Sequence, residues 1–151
     1  MIYINDLPDR IFNVIEMYAD DSKVISELKE GPDSGLQEDI NEINGWCKKW
    51  SMSLNSSKCK IMHFGKQNPR RKYYIEGKVG RVWLETTEVE KDLGVMISSD
   101  GRNNKQVESA VSKANRALGR MRKTFKYFNI QLFKVLYPAF VRTHLEFASA
   151  V

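Results

Sequence analysis

The order of apolar and polar residues predicts a β-hairpin near the start of the chain. Residues 11–18 (Ile11-Phe12-Asn13-Val14-Ile15-Glu16-Met17-Tyr18) and 22–26 (Ser22-Lys23-Val24-Ile25-Ser26) are rich in the β-branched and aromatic side chains that suit a pleated surface. Asp20 and Asp21 fall between them, at the tip. Residues 1–7 are apolar and then abruptly polar, and read as the tail of a buried helix stopped by Pro8. Residues 29–35 are a loop by composition. Leu36, Ile40, Ile43, Cys47 and Trp50 then step by four, three, four and three, which predicts an amphipathic helix over 36–52. Gln37, Glu38, Asp39, Glu42, Lys48 and Lys49 fill its polar face, acids early and lysines late, as the helix dipole favours. Gly45 weakens it by about 1 kcal/mol relative to alanine. Short strands are predicted over 59–64, 73–75, 82–84 and 93–97, with a basic loop over 65–71 and a turn at Glu76-Gly77. Ser98-Ser99-Asp100-Gly101 punctuates. A long helix follows over 104–128, with Val107, Val111, Ala114, Leu118, Met121 and Phe125 on its apolar stripe. A last helix over 131–147 presents Phe133, Leu136, Tyr137, Phe140, Val141 and His144, and Pro138 should kink or interrupt it.

Composition narrows the class. The chain has 151 residues, 42% hydrophobic and 28% charged, which suits a soluble globular protein with one core or one small domain plus a helical appendage. No apolar run approaches the roughly 18 residues that span a bilayer, and no secretory signal pattern is present. Cys47 and Cys59 do not form a disulfide framework and are expected as buried, reduced thiols, in keeping with an intracellular setting, cytoplasmic or nuclear. A zinc site built from them with His63 or His144 has no recognisable ligand spacing.

Charge is unevenly placed. Residues 1–45 hold eleven acids and three bases, while residues 101–126 hold eight bases and one acid, Glu108. An acidic beginning followed by a basic stretch suggests a cation site in one part and polyanion contact in the other. Asp20-Asp21 is the candidate cation site, because adjacent carboxylates repel and oxygen ligands suit Mg²⁺. An acidic, solvated turn is the other reading of the same pair. Lys113, Arg116, Arg120 and Lys123 are three or four apart and share one helix face. That face is either a phosphate-tracking surface or an ordinary solvated one. Arg70-Arg71-Lys72 beside Tyr73-Tyr74 is a weaker candidate for stacking and phosphate contact.

The order of these pieces resembles the second half of a reverse transcriptase palm and the start of its thumb, of the non-LTR retrotransposon (jockey/LINE-like) type. The resemblance is carried by Ile2-Tyr3-Ile4-Asn5-Asp6-Leu7-Pro8, Met17-Tyr18-Ala19-Asp20-Asp21, Trp50-Ser51-Met52-Ser53-Leu54-Asn55-Ser56-Ser57-Lys58-Cys59-Lys60, Met62-His63-Phe64-Gly65, Glu90-Lys91-Asp92-Leu93-Gly94-Val95 and Tyr137-Pro138-Ala139-Phe140-Val141-Arg142-Thr143-His144-Leu145-Glu146. It implies an α+β fold: a partial palm of antiparallel strands with a packed helix over 1–100, then a small helical thumb over 101–151. It implies two-metal nucleotidyl transfer with Mg²⁺ or Mn²⁺, an RNA template and a DNA primer. Asp20 then ligates metal, with Asp21 adding charge beside it. Tyr18 and Ala19 lie under the primer terminus and incoming nucleotide. Lys58 matches a basic residue near that nucleotide, placed to neutralise triphosphate or protonate pyrophosphate. Leu93-Gly94 matches a hairpin that grips the primer. The Lys113–Lys123 face tracks the duplex backbone.

The same resemblance implies parts that the sequence does not show. The upstream strand with its own catalytic aspartate and the fingers are missing, since Asp6 and Asp9 fall in the loop after the first helix. The expectation is a truncated or relic polymerase piece, inactive alone, with an open sheet edge prone to self-association. A non-catalytic nucleic-acid-binding remnant using helix 104–128 is the alternative.

Overall fold

The computed structural model describes residues 6–28, 35–77 and 80–149. They form two compact units, residues 1–86 and 87–151, each with its own apolar centre. The fold is α+β, with small, mostly antiparallel sheets and a helical C-terminal region.

The first unit opens with a 3₁₀ turn, Pro8–Arg10, where proline's fixed φ and missing N–H suit a helix start. Strands β1 (Val14–Tyr18) and β2 (Asp21–Ile25) follow as an antiparallel hairpin, paired from Val14↔Ile25 to Tyr18↔Asp21. Alternation sets its inner face: Ile15 and Met17 pack inward, while Val14, Glu16 and Tyr18 face solvent. Helix α1 (Leu36–Lys49) covers that inner face. β3 (Lys60–Ile61) pairs parallel with β6 (Glu85–Thr86), and β4 (Tyr74–Gly77) pairs antiparallel with β5 (Gly80–Trp83). One apolar group joins Leu7, Trp46 and Cys47, the other Ile40, Tyr73 and Ile75, and Leu54 packs against both. Burial pushes both thiols up, with the neighbouring Cys59 adding to the effect at Cys47. Both cysteines are free.

Helix α1 departs from its predicted stripe. It ends at Lys49, so Trp50 leaves helical register and is partly exposed, its ring 6.2 Å from that of Trp46. Trp46 is buried in its place, because its indole Nε1 finds a partner in Asp6 Oδ1 at 2.9 Å. Asp39, predicted on the polar face, is only 2% exposed. Its carboxylate accepts from the Phe12 and Asn13 backbone N–H groups at 2.8 and 3.0 Å and from Asn13 Nδ2 at 2.8 Å. These bonds tie the helix to the segment leading into β1. The predicted strand 59–64 shortens to Lys60–Ile61, and β3–β6 is parallel rather than antiparallel.

The second unit begins with β7 (Val89–Asp92) and β8 (Val95–Ser98), an antiparallel hairpin; the strand predicted over 93–97 starts two residues later because Leu93 and Gly94 form the turn. Helix α2 runs Asn104–Thr124, four residues shorter than predicted, since Phe125 is already extended at φ −100°, ψ 112°. Its stripe is rotated. Ala114, Ala117 and Met121 are buried, but Val107 and Val111 are 58% and 45% exposed. Buried Gln106 takes the inward position instead: its Oε1 accepts from Met96 N at 3.0 Å, and its Nε2 donates to Phe147 O at 3.5 Å. The small alanines admit Val141, itself 1% exposed. Helix α3 (Ile130–Tyr137) is capped by Asn129 Oδ1 accepting from Leu132 N at 2.8 Å. Pro138 lacks an N–H and ends it. The chain continues as a wider π-type turn, Pro138–Arg142, and a short α4, Thr143–Glu146. That wider turn puts Val141 in the core and leaves Phe140, predicted to face inward, exposed. Among the described residues no helix is long and apolar enough to cross a membrane.

Candidate functional site

Hairpin geometry places the acidic pair. Ala19 and Asp20 form the two-residue connection between Tyr18 and Asp21, with Ala19 in the left-handed region at φ 55°. Two-residue connections need positive φ to match the right-handed twist of the strands. For alanine this costs roughly 1–2 kcal/mol. Inward packing of Ile15 and Met17, and the Asp39 clamp on Phe12 and Asn13, hold the hairpin against that strain. Lys23 Nζ and Glu16 Oε2 are 2.8 Å apart across the register, an exposed pair that adds little. Asp20 sits in the turn and Asp21 opens the return strand, so both carboxylates are exposed beside Tyr18, which is 66% exposed.

Two hard oxygen donors on one tip are the right chemistry for Mg²⁺ or Mn²⁺. Their number is too small for a closed site. Among the described residues no group of three or more His, Cys, Asp or Glu side chains is placed to hold a metal. Asp6 is occupied in packing Trp46. The residues at hand therefore fit only part of a metal shell.

Lys58 lies exposed in the turn after α1, where Asn55 O accepts from the Lys58 and Cys59 backbone N–H groups at 2.9 and 3.2 Å. Ser57 Oγ donates to Asn55 Oδ1 at 2.7 Å, so the loop is ordered by its own polar side chains. In the second unit Leu93 (φ 47°) and Gly94 (φ 91°) both have positive φ, the requirement of a type I′ hairpin. Leucine is costly there and glycine is not, so Gly94 relieves half the turn. A Cβ on Gly94 would meet Phe147 Cζ at 3.2 Å. Gly94→Ala is expected to destabilise residues 87–151 by about 1–3 kcal/mol, visible as a lowered melting temperature. An unchanged melt would mean the turn tolerates a side chain and is not held by Phe147.

Arg116, Arg120 and Lys123 are exposed on one face of α2, and Lys113 at the upper end of that face is half-buried. Packing of Ala114, Ala117 and Met121 on the buried stripe of the same helix fixes the orientation of this face. Of the Tyr73-Tyr74 pair only Tyr74 is available, because Tyr73 is buried. Sequence reasoning missed Arg81, whose guanidinium lies 4.4 Å from the Tyr74 ring centre, and the contact of Tyr74 with Trp83 at 5.4 Å. Counting outward from the Gly77↔Gly80 pair pairs Tyr74 with Trp83, so that signal was present. Nothing in the sequence marked Gln106.

No curated protein and no solved structure gives a match. A family model does: the one described as reverse transcriptase (RNA-dependent DNA polymerase) covers residues 1–131.

Proposed function

The chain belongs to the reverse transcriptase family, and on that premise we propose that it is a palm and thumb piece of a non-LTR retrotransposon polymerase that holds a template–primer without completing the metal centre alone. The observation that carries this reading is the Tyr18-Ala19-Asp20-Asp21 tip, where a strained Ala19 exposes two carboxylates on a packed hairpin. Asp20 and Asp21 would be the donors that this chain offers to a divalent ion, which would supply charge stabilisation for nucleotidyl transfer once other ligands join them. Tyr18 and Ala19 support the primer terminus. Lys58 sets positive charge beside the triphosphate. The Leu93-Gly94 turn approaches the primer backbone, where Gly94 presents no side chain. The α2 flank contacts phosphates without reading bases. Residues 1–100 act as the palm portion and 101–151 as the thumb portion, inside the cell.

β1–β2 is a two-stranded sheet among the described residues, and such edges pair with other chains, so self-association belongs to the same reading. Exposed Arg116, Arg120 and Lys123 favour one second reading, a nucleic-acid-binding remnant that has lost catalysis. Anisotropy titration of a labelled RNA–DNA template–primer tests both. The expected result is salt-sensitive binding that survives Asp20→Ala and Asp21→Ala. Absence of binding at low salt by a folded protein would refute both readings.

A further inference from the structure

The β4–β5 hairpin carries a surface apart from the acidic tip and the α2 flank, and it extends the Arg70–Tyr74 candidate for stacking and phosphate contact. Cross-strand pairing puts Tyr74, Glu76, Arg81 and Trp83 on one face and Ile75 and Val82 on the other. Ile75 is buried against the core, so the Tyr74 face looks outward. Trp83 is 59% exposed and meets Tyr74 edge-on, with ring centres 5.4 Å apart and planes at 71°. Arg81 lies over the Tyr74 ring at 4.4 Å and is itself exposed. A guanidinium stacked on one ring still offers its opposite plane. The outcome is a cluster in which exposed Trp83 and Arg81 rest on a half-buried Tyr74.

Hydrogen bonds tie the backbone of this cluster to its neighbours. Gln37 on α1 exchanges two hydrogen bonds with the Tyr74 backbone, donating from Nε2 to the carbonyl at 3.0 Å and accepting at Oε1 from the N–H at 3.1 Å. Asn44 Nδ2 donates to Glu76 O at 2.9 Å, and Leu84 N donates to Tyr73 O at 2.8 Å. Glu76, the one acid on the face, has its charge offset by Lys48 at 3.8 Å. Basic residues lead into the cluster: residues 58–72, before β4, contain six bases and no acid. One of them, Lys60 in β3, faces Glu85 two residues past Trp83.

Exposed aromatic and guanidinium planes next to phosphate-seeking charge are what unpaired bases require: π-faces for stacking and cations for the backbone. A duplex hides those base faces. We propose that the Tyr74–Arg81–Trp83 face is a binding platform for single-stranded nucleic acid, stacking unpaired bases while Lys72 and its basic neighbours hold phosphates. It sits on a different hairpin from Asp20 and Asp21 and does not depend on the catalytic reading.

The test uses the whole chain and a short labelled oligouridylate, single-stranded or annealed to its complement. Trp83→Ala and Arg81→Gln are expected to weaken single-strand binding roughly 5- to 100-fold while leaving duplex binding unchanged. Trp83→Phe should retain most of the affinity. Circular dichroism checks folding. Should Trp83→Ala not fold, Arg81→Gln and 5-bromouridine photocrosslinking carry the test, with crosslinks expected in residues 72–84. Unchanged single-strand affinity, equal losses on both ligands, or crosslinks only elsewhere would overturn the proposal. So would a loss of RNA-free self-association in Trp83→Ala with RNA affinity intact, which would make the face an interface between copies of the chain.

Discussion

Asp39→Ala is expected to lower the stability of residues 1–86 by about 2–4 kcal/mol, a large share of what a small unit possesses. The carboxylate is 2% exposed and accepts three hydrogen bonds, from Phe12 N, Asn13 N and Asn13 Nδ2. Alanine removes all three acceptor contacts and leaves the donors in partly buried surroundings. Bonds to a charged group are worth about 1.5–3 kcal/mol each when broken singly, and losses of neighbours do not simply add. Asp39→Asn keeps the shape and one good acceptor oxygen, so it should lose less. Asp20→Ala and Asp21→Ala should change stability by no more than about 0.5 kcal/mol, because both side chains are exposed. Urea titrations resolve these differences as shifts in midpoint. An Asp39→Ala midpoint equal to wild type would mean that the clamp does not hold the β1–β2 hairpin to α1.

Neutralising Arg116, Arg120 and Lys123 together, each to Gln, is expected to cost template–primer affinity about 10- to 1000-fold at low salt. Each lost phosphate contact should flatten the plot of log affinity against log salt by about one unit, giving a total of about three. The prediction rests on their common exposed flank, which the buried alanines of α2 hold in place. Lys113 is half-buried, so adding Lys113→Gln should change the slope less than any of the other three. Folding stability should be nearly unaffected, since surface changes away from packed features cost little. A triple variant with wild-type affinity and slope would leave the α2 flank as a solvated face.

Much of this architecture was legible because periodicity and turn chemistry speak directly about burial. The β-branched and aromatic residues on either side of Asp20-Asp21 marked the hairpin, and the spacing of Ile40, Ile43 and Cys47 marked α1. What was hidden depends on partners distant in sequence. Asp39 looks like any first-turn acid until Phe12 and Asn13 are beside it. Trp46 goes inside because Asp6, forty positions away, accepts its N–H. Gln106 displaces Val107 from the core of the second unit because Met96 N and Phe147 O offer it two bonds. A helical wheel weighs hydrophobicity alone and cannot see such satisfaction. The acidic tip was readable as chemistry, yet its conformation was not: a left-handed alanine has no signature comparable to Asn-Gly. Pro138 announced an interruption but not that the following turn would widen and change which of Phe140 and Val141 is buried.

The most direct test of the central claim is template–primer extension by purified residues 1–151 with Mg²⁺ or Mn²⁺, run beside Asp20→Ala. Neither protein is expected to extend the primer, although the folded chain still binds the template–primer at low salt. Extension by the wild type that disappears in Asp20→Ala would contradict this expectation, and would mean that these residues, alone or as an oligomer, assemble a complete metal site.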